Sequence, residues 1–327
     1  MRVAVTGAAG FVGTNLIERL VADGADVVAV DRVRGHGSAT GRVRWVAADV
    51  LDRESMRDAL RGVDTVFHLV AAITLRMRDD RAWNLNTRGV ATVSRAALDV
   101  GVRRLVHLSS VHAFDQDRAK VMSETTARSD RPEIPVYDRS KWAGEQELAK
   151  VVDDGLDATV CNPTGIWGPS DYGAPMSRLN GLARSAAAGR VPVFIGRAGF
   201  DLVDVRDVVS GLVAAAERGR TGHNYLLGGE YRPLIDFMRL SAAAAGRHGP
   251  FVGLPLSALK AAMPVLEPIG ARFDSDIVSK AAIGPLLASP IVDCSKARRE
   301  LGYRPRPMEE TARDLVAFLD RAGRLSA

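Results

Sequence analysis

Near the N-terminus, Gly7-Ala8-Ala9-Gly10-Phe11-Val12-Gly13 joins a short β-branched run, Arg2–Thr6, to a stretch in which Leu16, Ile17, Leu20 and Val21 share one helical face. No other feature constrains the chain as strongly. Within a few residues a strand must end, the backbone must turn sharply and a helix must begin. Small residues permit that turn and let the backbone approach a pyrophosphate, while the helix start offers unpaired N–H groups and a partial positive charge. The Gly7-x-x-Gly10-x-x-Gly13 spacing differs by one residue from the G-x-G-x-x-G fingerprint, but its place between strand and helix favours a dinucleotide-binding turn over a glycine-rich turn without a ligand.

The same rhythm continues downstream. Val27–Val30, Val43–Ala47, Thr65–Val70, Arg104–Ser109 and Ala158–Asn162 read as short apolar strands, with Leu51–Leu60, Thr87–Val100 and Val136–Val152 as amphipathic helices between them. Strands alternating with helices predict an α/β fold, a parallel sheet covered on both faces and doubly wound in the Rossmann manner. After Pro163 the rhythm breaks. Asp201–Val205 reads as a further strand, Asp207–Ala216 as a helix returning to the main body, and Phe251–Phe273 as an apolar stretch with repeated prolines. The expected division is a dinucleotide-binding domain of residues 1–164, with 201–228 returning to it, and a smaller discontinuous substrate lobe of 165–200 and 229–327.

Composition narrows the function classes. A formal charge of +5 and a pI near 9.5, with basic and acidic residues interspersed, give no nucleic-acid-binding tract. Cys161 and Cys294 are far apart and in no metal-ligating pattern, so neither a disulfide framework nor a metal site is expected. The N-terminus runs straight into the glycine turn without an apolar leader, and no long uncharged stretch suggests a membrane span; a cytoplasmic location is expected.

Asp31 ends the second strand, where a carboxylate can accept from the adenosine ribose hydroxyls and would repel a 2′-phosphate. Arg32 and Arg34 beside it can pair with such a phosphate. The balance favours NAD and leaves NADP open. Asp49-Val50, after the third strand, can contact adenine or serve as a helix-start acid. Tyr137 and Lys141 form a Tyr-x-x-x-Lys pair one helical turn apart, so the ammonium can lower the phenol's pKa and fit it for acid–base work. Ser109 and Ser110 end the fifth strand, where a hydroxyl can hold a reacting oxygen, or simply cap the strand.

Together, Thr6–Gly13, His68-Leu69-Val70-Ala71-Ala72, Ser109-Ser110 and Tyr137-Asp138-Arg139-Ser140-Lys141-Trp142-Ala143-Gly144-Glu145 resemble the extended short-chain dehydrogenase/reductase superfamily. Within it the chain is similar to the NAD-dependent epimerase/dehydratase family, from residue 1 to about 215 and again at Lys296–Pro305. The resemblance implies NAD bound by Gly7, Gly10, Phe11, Val12, Asp31, Arg32, Asp49, Val50, Leu69, Val70, Ala71, Asn86, Ser109, Tyr137, Lys141 and Pro163. It implies catalysis by Ser110, Tyr137 and Lys141, and a homodimer paired through Thr87–Val100 and Val136–Val152. Sugar-nucleotide dehydratases carry Asp-Glu where this chain has Val111 and His112, which argues against water elimination. The arginine by which many nucleotide-sugar epimerases hold a pyrophosphate is Phe200 here, with Arg197 close enough to compensate. Gly165-Ile166-Trp167-Gly168 and Phe251–Phe273 look more like hydroxysteroid dehydrogenases and dihydroflavonol reductases. Candidate substrate contacts are Ser110, His112, Asn162, Trp167 and Arg197. The expected activity is interconversion of a secondary alcohol and a ketone; a nucleotide-sugar epimerase without net redox change is the alternative.

Overall fold

The computed structural model describes residues 1–36, 41–195, 199–254 and 289–325. In chain order these give β1 (Arg2–Thr6), α1 (Phe11–Ala22), β2 (Asp26–Asp31), β3 (Val43–Ala47), α2 (Arg53–Leu60), β4 (Thr65–His68), α3 (Asp80–Asp99) and β5 (Arg104–Leu108). There follow β6 (Val121–Met122), α4 (Val136–Asp153), β7 (Ala158–Pro163), β8 (Gly165–Trp167), α5 (Arg178–Ala187), β9 (Val193–Ile195), β10 (Gly199–Asp204) and α6 (Val205–Arg218). The last are β11 (Asn224–Leu227), β12 (Glu230–Pro233), α7 (Leu234–Ala244), β13 (Val252–Leu254), β14 (Ile291–Val292), α8 (Ser295–Leu301) and α9 (Met308–Arg321).

Seven strands form one sheet in the order β11-β7-β5-β4-β1-β2-β3, and every pairing is parallel. The order reverses beside β1, so the crevice at its C-terminal end is the place where such a sheet takes a ligand. Both faces are buried. One core gathers Leu16, Ile17 and Leu20 of α1 with Val208, Val209 and Leu212 of α6. The other gathers Met56 and Leu60 of α2, Val90 and Val93 of α3 and Leu148 and Val151 of α4. This is the doubly wound α/β fold expected from the alternating pattern.

Two boundaries differ instructively. α3 begins seven residues before the expected Thr87, because the Asp79 carboxylate accepts from Ala82 N at 2.9 Å and caps a polar first turn that hydrophobic periodicity does not register. The strand expected at Asp201–Val205 is β10, but it pairs with β8 and β12 in a separate three-stranded sheet. The chain rejoins the large sheet through α6 and β11 instead. A third core, with Trp167, Phe237, Met238, Leu315 and Phe318, holds α5, α7 and α9 together beyond that small sheet. Most of the Phe251–Phe273 stretch lies outside the described residues; its start forms β13, which pairs with β9. Among the described residues no helix is long and apolar enough to cross a membrane, no cluster of His, Cys, Asp and Glu could hold a metal, and both cysteines are free and buried.

Candidate active site

At the C-terminal end of β1 the glycine turn is built almost wholly from main chain. Gly7 has φ +74°, and a Cβ there would lie 3.1 Å from Val70 N. A Cβ on Gly13 would lie 2.3 Å from the Gly7 carbonyl oxygen, so only glycine lets α1 start against the turn. The N-cap, Gly10, brings no side-chain acceptor to the first turn of α1, and the opening N–H groups of a helix have no intrahelical partner. The Asp31 carboxylate accepts from Ala9 N at 3.0 Å and from Arg32 N at 2.7 Å, tying the end of β2 to the glycine turn while its remaining lone pairs stay available. Arg32 is exposed beside it. These features suit a diphosphate and a ribose: a cradle that a Cβ would fill, open helix N–H groups and a carboxylate at the strand end.

The other predicted cofactor residues surround the same crevice. Leu69, Val70 and Ala71 follow β4 alongside the turn, and Leu69 N donates to Thr6 O at 3.1 Å. The Asp49 carboxylate accepts from Leu51 N at 2.9 Å, helping turn the chain into α2, while Val50 is buried. Asn86 is fully engaged. Its Nδ2 donates to Ala72 O at 3.0 Å and to Ser140 Oγ at 2.9 Å, and its Oδ1 accepts from Ala72 N at 2.8 Å. It stitches the loop after β4 to α4. Ser109 is buried with no hydrogen-bond partner for its hydroxyl, an orphaned polar atom of the kind a bound ligand would satisfy. Pro163 ends β7, buried beside Leu227.

Ser110, Tyr137 and Lys141 come together. Ser110 leaves β5 in extended conformation and its hydroxyl accepts from His112 N at 3.2 Å; the same hydroxyl hydrogen-bonds the Tyr137 phenol. Lys141, only 1% exposed, donates through Nζ to the Leu108 carbonyl at 2.9 Å. Burial pushes the Tyr137 phenol up to about 12, with the Ser110 hydrogen bond and the Arg178 charge opposing and the Asp138 charge adding to the rise. Burial brings the Lys141 ammonium down to about 8, with Glu145 opposing. The lowering of the phenol expected from the lysine is thus not met within the chain itself, because burial outweighs the charges around it.

His112 stands next to this trio. Its ring lies 5.4 Å from that of Tyr137, its Nδ1 is 2.7 Å from Asp138 Oδ1, and the side chain keeps 28% exposure. Burial works against its charge, but the Asp138 carboxylate prevails and its pKa is raised. Two other predicted substrate contacts are corrected. Asn162 is wholly buried and spends its amide on the Ser110 carbonyl at 2.9 Å and Glu145 Oε1 at 2.7 Å, so it braces the site from behind. Trp167 is also wholly buried, edge-on to Phe237 at 4.9 Å, in the core of the second lobe. Its ring packs against protein, as a large apolar surface at a lobe interior must. Arg197 lies outside the described residues.

Sequence reasoning missed Arg178. At the start of α5, its charge reaches both Tyr137 and His112 from the second lobe. A signal existed: a cation in the first turn of a helix opposes the helix dipole, so an arginine there needs another reason.

A family model described as the NAD dependent epimerase/dehydratase family matches residues 3–228, and the chain belongs to that NAD-dependent enzyme family. Among curated relatives it is 30% identical over 329 residues to sterol demethylase protein B of Methylococcus capsulatus, covering 99% of each chain. It is 27% identical over 322 residues to a 3-beta-hydroxysteroid dehydrogenase of Mycolicibacterium neoaurum, covering 93% of this chain and 87% of the relative. Among solved structures, that of gox2253 superposes with a TM-score of 0.82 at 30% identity, covering 98% of each chain.

Proposed function

We propose that the chain is an NAD-dependent dehydrogenase/reductase that interconverts a secondary alcohol and a ketone on an apolar, ring-bearing substrate of the hydroxysteroid kind. The observation that carries this reading is the Ser110–Tyr137 hydrogen bond, with the buried Lys141 one helical turn on from Tyr137 and anchored to the carbonyl two residues upstream of that serine. NAD, when bound through the glycine turn, Asp31 and Lys141, supplies the hydride acceptor and a positive charge that favours the tyrosinate. In oxidation, Ser110 holds the substrate oxygen and Tyr137 takes the hydroxyl proton as the carbon gives up hydride. Lys141 steadies the negative oxygen through its charge. In reduction Tyr137 returns the proton to the ketone oxygen.

The full-length relatives named for sterol and hydroxysteroid chemistry support the substrate class. So does Phe200, which packs against the second lobe's apolar core where an arginine would hold a sugar nucleotide's pyrophosphate. We assign His112 and Arg178 to the substrate side of the crevice. The working domain division becomes 1–164 with 205–228 for the dinucleotide, and 165–204 with 229–327 for the substrate, because β10 belongs to the small sheet and not to the large one. We also propose a homodimer through α3 and α4, adjacent on one sheet face; light scattering that returns a monomer would reject it.

The test is NADH formation from a panel of 3β-hydroxysterols, followed by near-ultraviolet absorbance, with Tyr137→Phe as the control. Turnover that survives in Tyr137→Phe sinks the mechanism. Inversion of a UDP-sugar with no net NADH would replace the reading with the epimerase alternative.

A further inference from the structure

Behind the catalytic trio lies a buried charged cluster that hydride transfer does not itself use. Glu145, one turn beyond Lys141 on α4, is only 5% exposed. Its Oε1 accepts from Asn162 Nδ2 at 2.7 Å, and its Oε2 accepts from Asn224 Nδ2 at 2.9 Å and Arg128 Nη1 at 3.1 Å. Asn162 Nδ2 also donates to the Ser110 carbonyl at 2.9 Å, and Asn162 Oδ1 accepts from Asn224 Nδ2 at 2.9 Å. The Arg128 guanidinium stands over the rings of Phe114, at 3.9 Å, and Trp142, at 4.7 Å. Taking such a pair out of water is costly, and well-packed apolar side chains often stabilise a core as much. The cluster, however, touches both halves of the chemistry: the Ser110 main chain through Asn162, and the Lys141 amine through the charge of Glu145.

We propose that Glu145 and Asn162 are positioning residues for the reaction. Asn162 clamps the Ser110 main chain where its hydroxyl meets Tyr137, and Glu145, buried four residues on from Lys141 and so on the same face of α4, both orients Asn162 and sets its carboxylate as the counter-charge to the lysine. This deepens the dehydrogenase reading and rests on it. On α4, Tyr137 lies one turn before Lys141 and Glu145 one turn after it; the charge of the amine also acts on His68 at the end of β4 and His107 in β5, and Arg128 is paired with Glu145. Burial keeps both imidazoles neutral, His68 down to about 3. Among the described groups acting on Lys141, Glu145 alone favours its protonation.

The experiment is a pH titration of 13C-labelled lysines in the full chain by NMR, the Lys141 signal being assigned by its loss in Lys141→Met. The wild-type midpoint is expected near 8. In Glu145→Gln it should fall by about one pH unit, as removal of a nearby opposite charge requires. A folded Glu145→Gln protein with an unmoved midpoint overturns the proposal. If that variant does not fold, Arg128→Gln replaces it and should move the midpoint up; an unmoved or lowered midpoint then overturns it equally. In Asn162→Ala the midpoint should hold within a few tenths of a unit, while kcat with a 3β-hydroxysterol falls about tenfold and KM for NAD stays put; an unchanged kcat rejects the clamp. The titration needs no turnover, so loss of the dehydrogenase reading and loss of the lysine-holding role are separately visible.

Discussion

The two ends of the crevice are built from different materials. The end proposed for the cofactor is main chain: a glycine at positive φ, a glycine whose Cβ would fall 2.3 Å from a carbonyl oxygen, and a helix start without a side-chain cap. The end proposed for the chemistry is buried side chains: Ser110 on Tyr137, Lys141 on the Leu108 carbonyl, and Glu145 and Asn162 behind them. At the first end specificity is a matter of shape, so substitutions act by steric exclusion. At the second it is a matter of charge taken out of water, so substitutions act through protonation and orientation. A site assembled this way can change substrate without rebuilding its dinucleotide cradle.

That contrast can be broken by substitution. Tyr137→Phe keeps the ring but removes the acid–base group, and should lower kcat by about a thousandfold while leaving NAD affinity within about twofold, read by steady-state kinetics and calorimetry. A parallel loss of NAD binding would mean that the two ends are not separable. Trp167→Ala empties the second lobe's core, where the indole is wholly buried. It should cost about 3–5 kcal/mol of stability by denaturant unfolding without changing the wild-type preference for NAD. Selective loss of a sterol substrate with unchanged stability would return this residue to the substrate wall.

Gly13→Ala should weaken NAD about a hundredfold, because the added methyl meets the Gly7 carbonyl at 2.3 Å and the turn must open. Acid lability sharpens the comparison from the catalytic end. His68 is held neutral, its pKa brought down to about 3 by burial and by the Lys141 charge. Between its ordinary value near 6.5 and that depressed value the unfolded chain binds the extra proton, so stability rises with pH across this window and is lost on acidification, by about 1.4 kcal/mol per unit. Replacing His68 with Asn should flatten that part of the pH–stability curve; an unchanged slope would locate acid unfolding elsewhere. The smallest effect is expected at Asp31→Ala, about a tenfold loss of NAD affinity with NADP gaining relative to it, measured by competitive titration.

The glycine turn, the parallel α/β order and the Ser110, Tyr137 and Lys141 set were legible because each depends on near neighbours in the chain. A turn needs glycines at fixed spacing, and a helix places positions four apart on one face. Asn162 and Trp167 were misread for the opposite reason. Each sits in a stretch whose pattern suits a pocket, yet what a side chain faces is decided by partners such as Glu145, 17 residues away, and Phe237, 70 residues away. Nor did local pattern show that β10 would pair with β8 and β12, because strand neighbours are chosen by whichever edge is free when the lobes pack.

Taken alone, the sequence determined the sheet, the glycine turn and the spacing that sets Tyr137 and Lys141 one helical turn apart, since these follow from local spacing and the period of helices and strands. Only the tertiary structure decided which polar groups face the crevice and which are spent on one another. Burial sets the phenol at about 12 and the amine at about 8, and desolvation depends on everything packed around a group, which no run of neighbouring residues specifies.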